Sequence, residues 1–117
     1  MGKQMNDAFW GEVIYTYDND DAIQDGLFID LRTCMHEYSP EVGEAFEGLL
    51  EGEVKDRMII TQGVMSYIRT NEALLSVLGA LSAVLWDDGM KIAKSNGATI
   101  WAFDEGDVMK VILPEEY

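Results

Sequence analysis

Val13, Tyr15 and Tyr17 alternate with Glu12, Ile14 and Thr16, and this β-branched and aromatic content predicts a short strand over 11–17. Residues 1–8 before it are polar and read as a loose N-terminal segment. Behind the strand, Asn19 or Asp18 can cap an acidic helical turn that Gly26 can stop. Leu27, Phe28, Ile29 and Leu31 then cluster, which suits a second short helix near 30–37 or an extended segment. Ser39-Pro40 is a clearer start, with Ser39 as N-cap and Pro40 at the first helical position. The helix predicted over 40–51 turns Val42, Ala45, Phe46, Leu49 and Leu50 inward and Glu41, Glu44, Glu47 and Glu51 outward.

Glu51-Gly52-Glu53 reads as a turn, and Met58–Ile60 as a short strand. Thr61 can cap a helix through Val64, Met65, Tyr67 and Ile68, and Asn71 can cap the next. The apolar spacing then predicts one long helix over 72–95. Leu74, Val77, Leu78, Leu81, Val84, Leu85 and Ile92 lie on its first face, with Leu75, Trp86, Met90 and Ala93 on a second. Such a helix is either the monomer's core or half of a homodimer interface. Two β-rich runs, 98–103 and 108–113, flank Asp104-Glu105-Gly106-Asp107 and predict a C-terminal β-hairpin. The expected fold class is α+β: a single acidic domain over 9–116 with a long central helix, shorter helices and that hairpin. At 117 residues the chain suits one domain of ordinary size.

Charge narrows the partners. The chain has 22 acidic and 8 basic residues, a net charge of −14. The imbalance is concentrated before Val54, where 13 acids face only Lys3 and Arg32. Such a field repels nucleic-acid phosphates and anionic membranes and attracts basic protein surfaces. It also serves plain solubility. Glu41, Glu44, Glu47 and Glu51 stand at three- and four-residue spacings, where like charges each cost a helix a few tenths of a kcal/mol, roughly.

The residues do not assemble a recognisable catalytic or metal motif. Cys34 is the only cysteine, which excludes a disulfide within the chain and suits a reducing compartment. His36 is the only histidine and lies two positions away, so a helix would not bring the pair onto one face. A calcium loop starting at Asp18 would put Ala22 and Ile23 where a ligand and a glycine are needed. Phosphate-loop patterns are absent. No apolar h-region opens the chain, and the apolar segment 74–86 is too short to span a bilayer. No catalytic, cofactor-binding or metal residue is therefore assigned. Asp88 falls on the main apolar face of the expected helix. Either the helix ends near Asp88-Gly89 and leaves it solvated, or it pairs internally, or it is a functional acid.

Several phrases resemble a family of small proteins of bacteriophages, plasmids and other bacterial mobile elements: FWGEVIYTY, DDAIQDGLFIDL, MIITQGVMSYI, SVLGALSAVLW and VMKVILPEE. The matching positions include Ala22, Ile23, Asp25 and Gly26, then Val84, Leu85 and Trp86. The resemblance covers most of 9–116, is remote over 38–55, and implies a mobile-element protein acting inside a bacterium. The expected function is a non-enzymatic binder of a basic host protein surface, in the cytoplasm of a bacterial host. An inhibitor of a nucleic-acid-handling or defence complex, of anti-restriction or anti-CRISPR type, would fit. The alternatives are an accessory or structural protein of the element and a carboxylate- and metal-dependent enzyme. Glu41, Glu44, Glu47, Glu51 and Trp86 are the candidate partner-binding residues. No direct nucleic-acid or membrane binding is expected, and a homodimer stays open.

Overall fold

Two dipeptides that accept a left-handed backbone decide where the second half of the chain turns. Asp88 and Gly89 have φ of 56° and 77°, and Asn96 and Gly97 have φ of 55° and 81°. Positive φ at both central residues is the signature of the tight hairpin turn whose twist matches that of paired strands. The first pair lets Asp87 exchange backbone hydrogen bonds with Met90 at 2.8 and 3.1 Å. The second joins two neighbouring strands of a sheet.

The computed structural model describes residues 19–117. The expected strand over 11–17 and the loose segment 1–8 lie outside the described residues. The elements run α1 (Asn19–Gln24), β1 (Ile29–Asp30), a 3-10 helix (Leu31–Glu37), α2 (Pro40–Glu53), β2 (Arg57–Ile60), α3 (Gln62–Met65) and α4 (Asn71–Ala83). They continue with β3 (Met90–Ser95), β4 (Ala98–Glu105), β5 (Val108–Ile112) and a closing 3-10 turn (Pro114–Glu116).

This overturns the expected fold in two places. The long helix 72–95 does not exist. Helix α4 stops at Ala83, Val84 turns extended, and Met90–Ser95 is a strand. The second correction concerns the C-terminal hairpin. Those two runs are inner strands of a five-stranded mixed sheet, ordered β1-β2-β5-β4-β3. β5 is central, parallel to β2 and antiparallel to β4, while β3 covers the far side of β4. A free-standing hairpin would be marginal in water, and three or more strands with one face covered are not.

Register sorts the sheet's side chains into two faces. Met58, Ile60, Met109, Val111, Ile100, Ala102, Ala93 and Lys91 point to one side and are buried there, where α4 packs on β3 and α2 packs on α4. Helix α4 contributes Leu74, Val77, Leu78 and Leu81 to this core, and α2 contributes Val42, Phe46, Leu49 and Leu50. The opposite face carries Ile59, Lys110, Phe103, Trp101, Ile112 and Ile92, and no described helix of eight residues or more packs on it.

Helix starts follow the short polar residues, with one shift. Thr61 Oγ1 accepts from the Val64 N–H at 3.1 Å and caps α3. Thr70, not Asn71, caps α4 by accepting from Ala73 N–H at 3.0 Å. Asn71 Oδ1 instead accepts the Ser39 N–H at 3.0 Å, which ties the start of α4 to the start of α2. Tyr38 strengthens the same junction by donating its hydroxyl to the Ile68 carbonyl at 2.6 Å. Burial first, then the neighbouring Cys34 thiol and Glu37 carboxylate, pushes this phenol above its ordinary value of 10.0. A raised acid favours its protonated form in the folded state. Its contribution is therefore complete below the unfolded phenol value and is lost as pH climbs through the folded one. Urea titrations above pH 10, roughly, should show stability falling more steeply in the native chain than in Tyr38→Phe. Equal slopes would mean that Tyr38 is not the group responsible.

Candidate functional site

Helix α2 shows one apolar and one acidic side. Val42, Phe46, Leu49 and Leu50 are buried, while Glu41, Glu44, Glu47 and Glu51 are all exposed. The four glutamates predicted from spacing thus share one solvent face. Among the described residues, Glu47 alone of the four has an ion-pair partner, Arg32 of the first 3-10 helix. Arg32 also donates to the Asp56 carbonyl at 3.0 Å and lies 5.4 Å from the Phe46 ring centre. One arginine therefore braces the middle of the helix from outside and leaves three acids unneutralised. A shallow groove of 550 Å³ runs beside the ridge, lined by Arg32, Met35, Pro40, Gly43, Gly48 and three of the glutamates.

The helix does not end at Glu51, as the expected turn would require. It continues through Glu53 and stops at Val54, whose φ of 57° and ψ of 52° are left-handed. Lys55 N–H then closes the end on the Leu50 carbonyl at 2.8 Å. A glycine usually takes this position, and a β-branched residue there costs about 1–2 kcal/mol. Glu53 before the reversal and Lys55 after it both reach Trp86.

Trp86 is correspondingly placed outside any helix, in the extended link between α4 and β3. Its Nε1–H donates to Glu53 Oε1 at 2.6 Å. The Lys91 and Lys55 ammonium groups lie 5.0 and 5.4 Å from its ring centre. Lys91 is 1% exposed and donates to Glu53 Oε2 at 2.9 Å and to the Leu81 carbonyl at 2.7 Å. Lys55 in turn pairs with Asp104 and donates to the Gly106 carbonyl. The hydrogen bond from Lys55 is the main reason that the Asp104 carboxyl is held below its ordinary value. This network of two lysines, two acids and an indole binds the end of α2 to β3 and β4. It occupies Trp86 internally, so Trp86 does not join the glutamate ridge. With Trp86 and Met90 off the helix, the two-sided helix that argued for a homodimer is gone.

The remaining singled-out residues fall apart in space or in role. Cys34 is half-buried and unpaired in a disulfide. His36 is exposed, its Nε2 3.7 Å from the Glu37 carboxylate. Asp88 is exposed in its turn, with no helix beneath it. Among the described residues, no group of three or more His, Cys, Asp or Glu could hold a metal ion. No helix among them is long and apolar enough to cross a membrane. The local sequence pattern gives no sign of the network around Glu53, since Lys91 falls on neither apolar face of the expected helix. Comparison with protein-family models, curated proteins and solved structures returns no match.

Proposed function

We propose that this chain is a non-enzymatic binding protein whose acidic helix α2 docks on a basic protein surface. The carrying observation is the alignment of Glu41, Glu44 and Glu51, exposed and without an ion pair to any described residue, on the side of α2 opposite its buried residues. A rigid helix that presents fixed like charges needs no rearrangement to meet a basic groove, and electrostatic steering speeds that encounter. The overall charge of −14 extends the same field. The partner class in this reading is a bacterial nucleic-acid-handling or defence protein, met in the cytoplasm of the host of a mobile element. Its own basic groove would be occluded.

The test is a triple variant, Glu41→Gln/Glu44→Gln/Glu51→Gln, which leaves Glu47 to Arg32. Its stability should match the native chain or exceed it by a few tenths of a kcal/mol, roughly, as like-charge repulsion is relieved. Stopped-flow association with the basic protein that co-purifies from bacterial cells should slow about tenfold at low salt. The salt dependence of that rate should flatten. Unchanged association kinetics in a folded triple variant would remove the ridge from the interface.

A further inference from the structure

Strand β3 ends the sheet order β1-β2-β5-β4-β3, and no described strand lies beyond it. The ladder decides which of its backbone groups face that free side. Gly89 C=O accepts from Asp104 N–H at 2.9 Å, so Gly89 bonds inward, to β4. Antiparallel pairs alternate between bonded and non-bonded, so Lys91, Ala93 and Ser95 also bond inward, in register with Ala102, Ile100 and Ala98. Met90, Ile92 and Lys94 therefore turn their N–H and C=O groups outward. Asp87 serves Met90, exchanging both hydrogen bonds with it at 2.8 and 3.1 Å. That pairing is a single bridge. Among the described residues, nothing bonds to the outward groups of Ile92 and Lys94.

Side chains beside this edge are apolar and wet. Leu85 is 86% exposed and Ile92 55%. With Val84, Asp87 and Met90 they line a pocket of 370 Å³. Asp87 and Asp88 stand exposed at one end of it. Unpaired outward groups are a template for one more strand. A second copy of the chain is disfavoured, because it brings −14 against −14, and two outward residues make too short a ladder for an interface of standard size. A basic strand suits both the overall charge and the two aspartates. In an antiparallel approach, the incoming residues that bond to Ile92 and Lys94 turn their side chains to the same face as Ile92, over the pocket.

We propose that β3 accepts an extended strand of the partner protein. It pairs antiparallel with Ile92 and Lys94, seats an apolar side chain against Leu85 and Ile92, and brings basic neighbours to Asp87 and Asp88. Main-chain bonds supply affinity in such a contact, and the pocket selects the side chain. This rests on the reading of the chain as a binder of a basic protein and adds a second contact point. The pocket shares no residue with the groove beside the α2 ridge.

A capped octapeptide alternating valine and lysine tests it by NMR titration of the full chain. Two forms of equal charge are used, N-methylated either on the lysine amides or on the valine amides. The lysine-methylated form keeps the amides that face β3. It should bind and slow exchange of the Ile92 and Lys94 amides about tenfold, with Ala93, already bonded to β4, little changed. The valine-methylated form should bind about tenfold more weakly or worse. Leu85→Ser, at a side chain in solvent, should leave stability unchanged and weaken the lysine-methylated form about three- to fivefold. Equal binding of the two forms, or binding of neither, would overturn the edge site. A native chain that sediments as a dimer, and as a monomer in Lys94→Pro, would give the edge to a second copy and overturn it too. Lys94 donates nothing to β4, so proline there removes only the outward donor. The triple α2 variant keeps the ridge separate. It should retain the preference between the two methylated forms even if its association with the basic protein collapses. Loss of that preference would assign the peptide to the ridge and refute the edge.

Discussion

Replacing Glu53 with alanine will cost the fold about 3 kcal/mol, and the loss will be recovered largely by removing Lys91 as well. Lys91 is 1% exposed, so its ammonium has left water almost completely. Three groups compensate it: the Glu53 carboxylate, the Leu81 carbonyl and the Trp86 ring. Only the first carries a full opposite charge. Removing one partner of a buried pair typically costs about 3–5 kcal/mol, because the other charge is stranded. The side chain of Glu53 is 19% exposed, so water can partly replace it and the lower end of that range applies. The Trp86 Nε1–H, left without Glu53 Oε1, adds to the loss. In Lys91→Met/Glu53→Gln the charge is gone, the indole keeps an acceptor, and a linear side chain fills the slot. Exchange of a buried pair for apolar atoms of similar volume is often neutral. Urea unfolding of the two variants measures both effects. A Glu53→Ala loss below about 1 kcal/mol, the scale of an exposed pair, would show that solvent reaches Lys91 and that the network is peripheral.

That network also explains where the sequence misleads. The stretch 72–95 carries apolar residues at helical spacing, but from Met90 onward a second period lies underneath. Lys91, Ala93 and Ser95 are buried, and Ile92 and Lys94 are exposed. The strand is inverted in polarity, with a lysine inside and an isoleucine outside. The inversion is possible only because Glu53, fourteen residues into α2 and thirty-eight residues away in sequence, reaches Lys91. No local pattern contains that information. The turn chemistry, by contrast, is local. Asp88-Gly89 and Asn96-Gly97 are both strong hairpin signals. Taken over the apolar spacing, they divide 72–95 into helix, turn and strand, and they leave Asp88 in solvent. The α2 ridge was legible for the opposite reason. Its burial period and its charge period agree, and Pro40 fixes its start, so Glu41, Glu44, Glu47 and Glu51 emerge on one side. The free edge of β3 needs the sheet order, which is tertiary. What the sequence could show there was the Asn96-Gly97 turn that pairs β3 with β4.

Phe46→Ala should be the most damaging substitution in α2, at about 3–5 kcal/mol. The ring is fully buried between the helix and the core and is the largest side chain that α2 contributes. A domain of this size holds about 5–15 kcal/mol in total, so the change would take a large part of it. Two terms add. The cavity removes packing from the hydrophobic cluster, and Arg32 loses the ring 5.4 Å from its guanidinium carbon. The second matters for function because Arg32 also holds Glu47. Phe46 therefore sets both the attachment of α2 and the direction in which its glutamates point. Phe46→Leu separates these roles. It keeps an apolar core and should lose only about 1–2 kcal/mol, while removing the ring beneath Arg32. Hydrogen exchange should show α2 amides loosening first in Phe46→Ala, ahead of β4 and β5, as expected for a helix attached to the sheet mainly through α4. Protection lost uniformly at the global rate would instead make α2 part of one cooperative unit with the sheet. A stability loss below about 1 kcal/mol in Phe46→Ala, far short of a core truncation, would mean that α2 is not anchored through this ring. The ridge would then lack the rigid backing on which its role as a preformed binding surface depends.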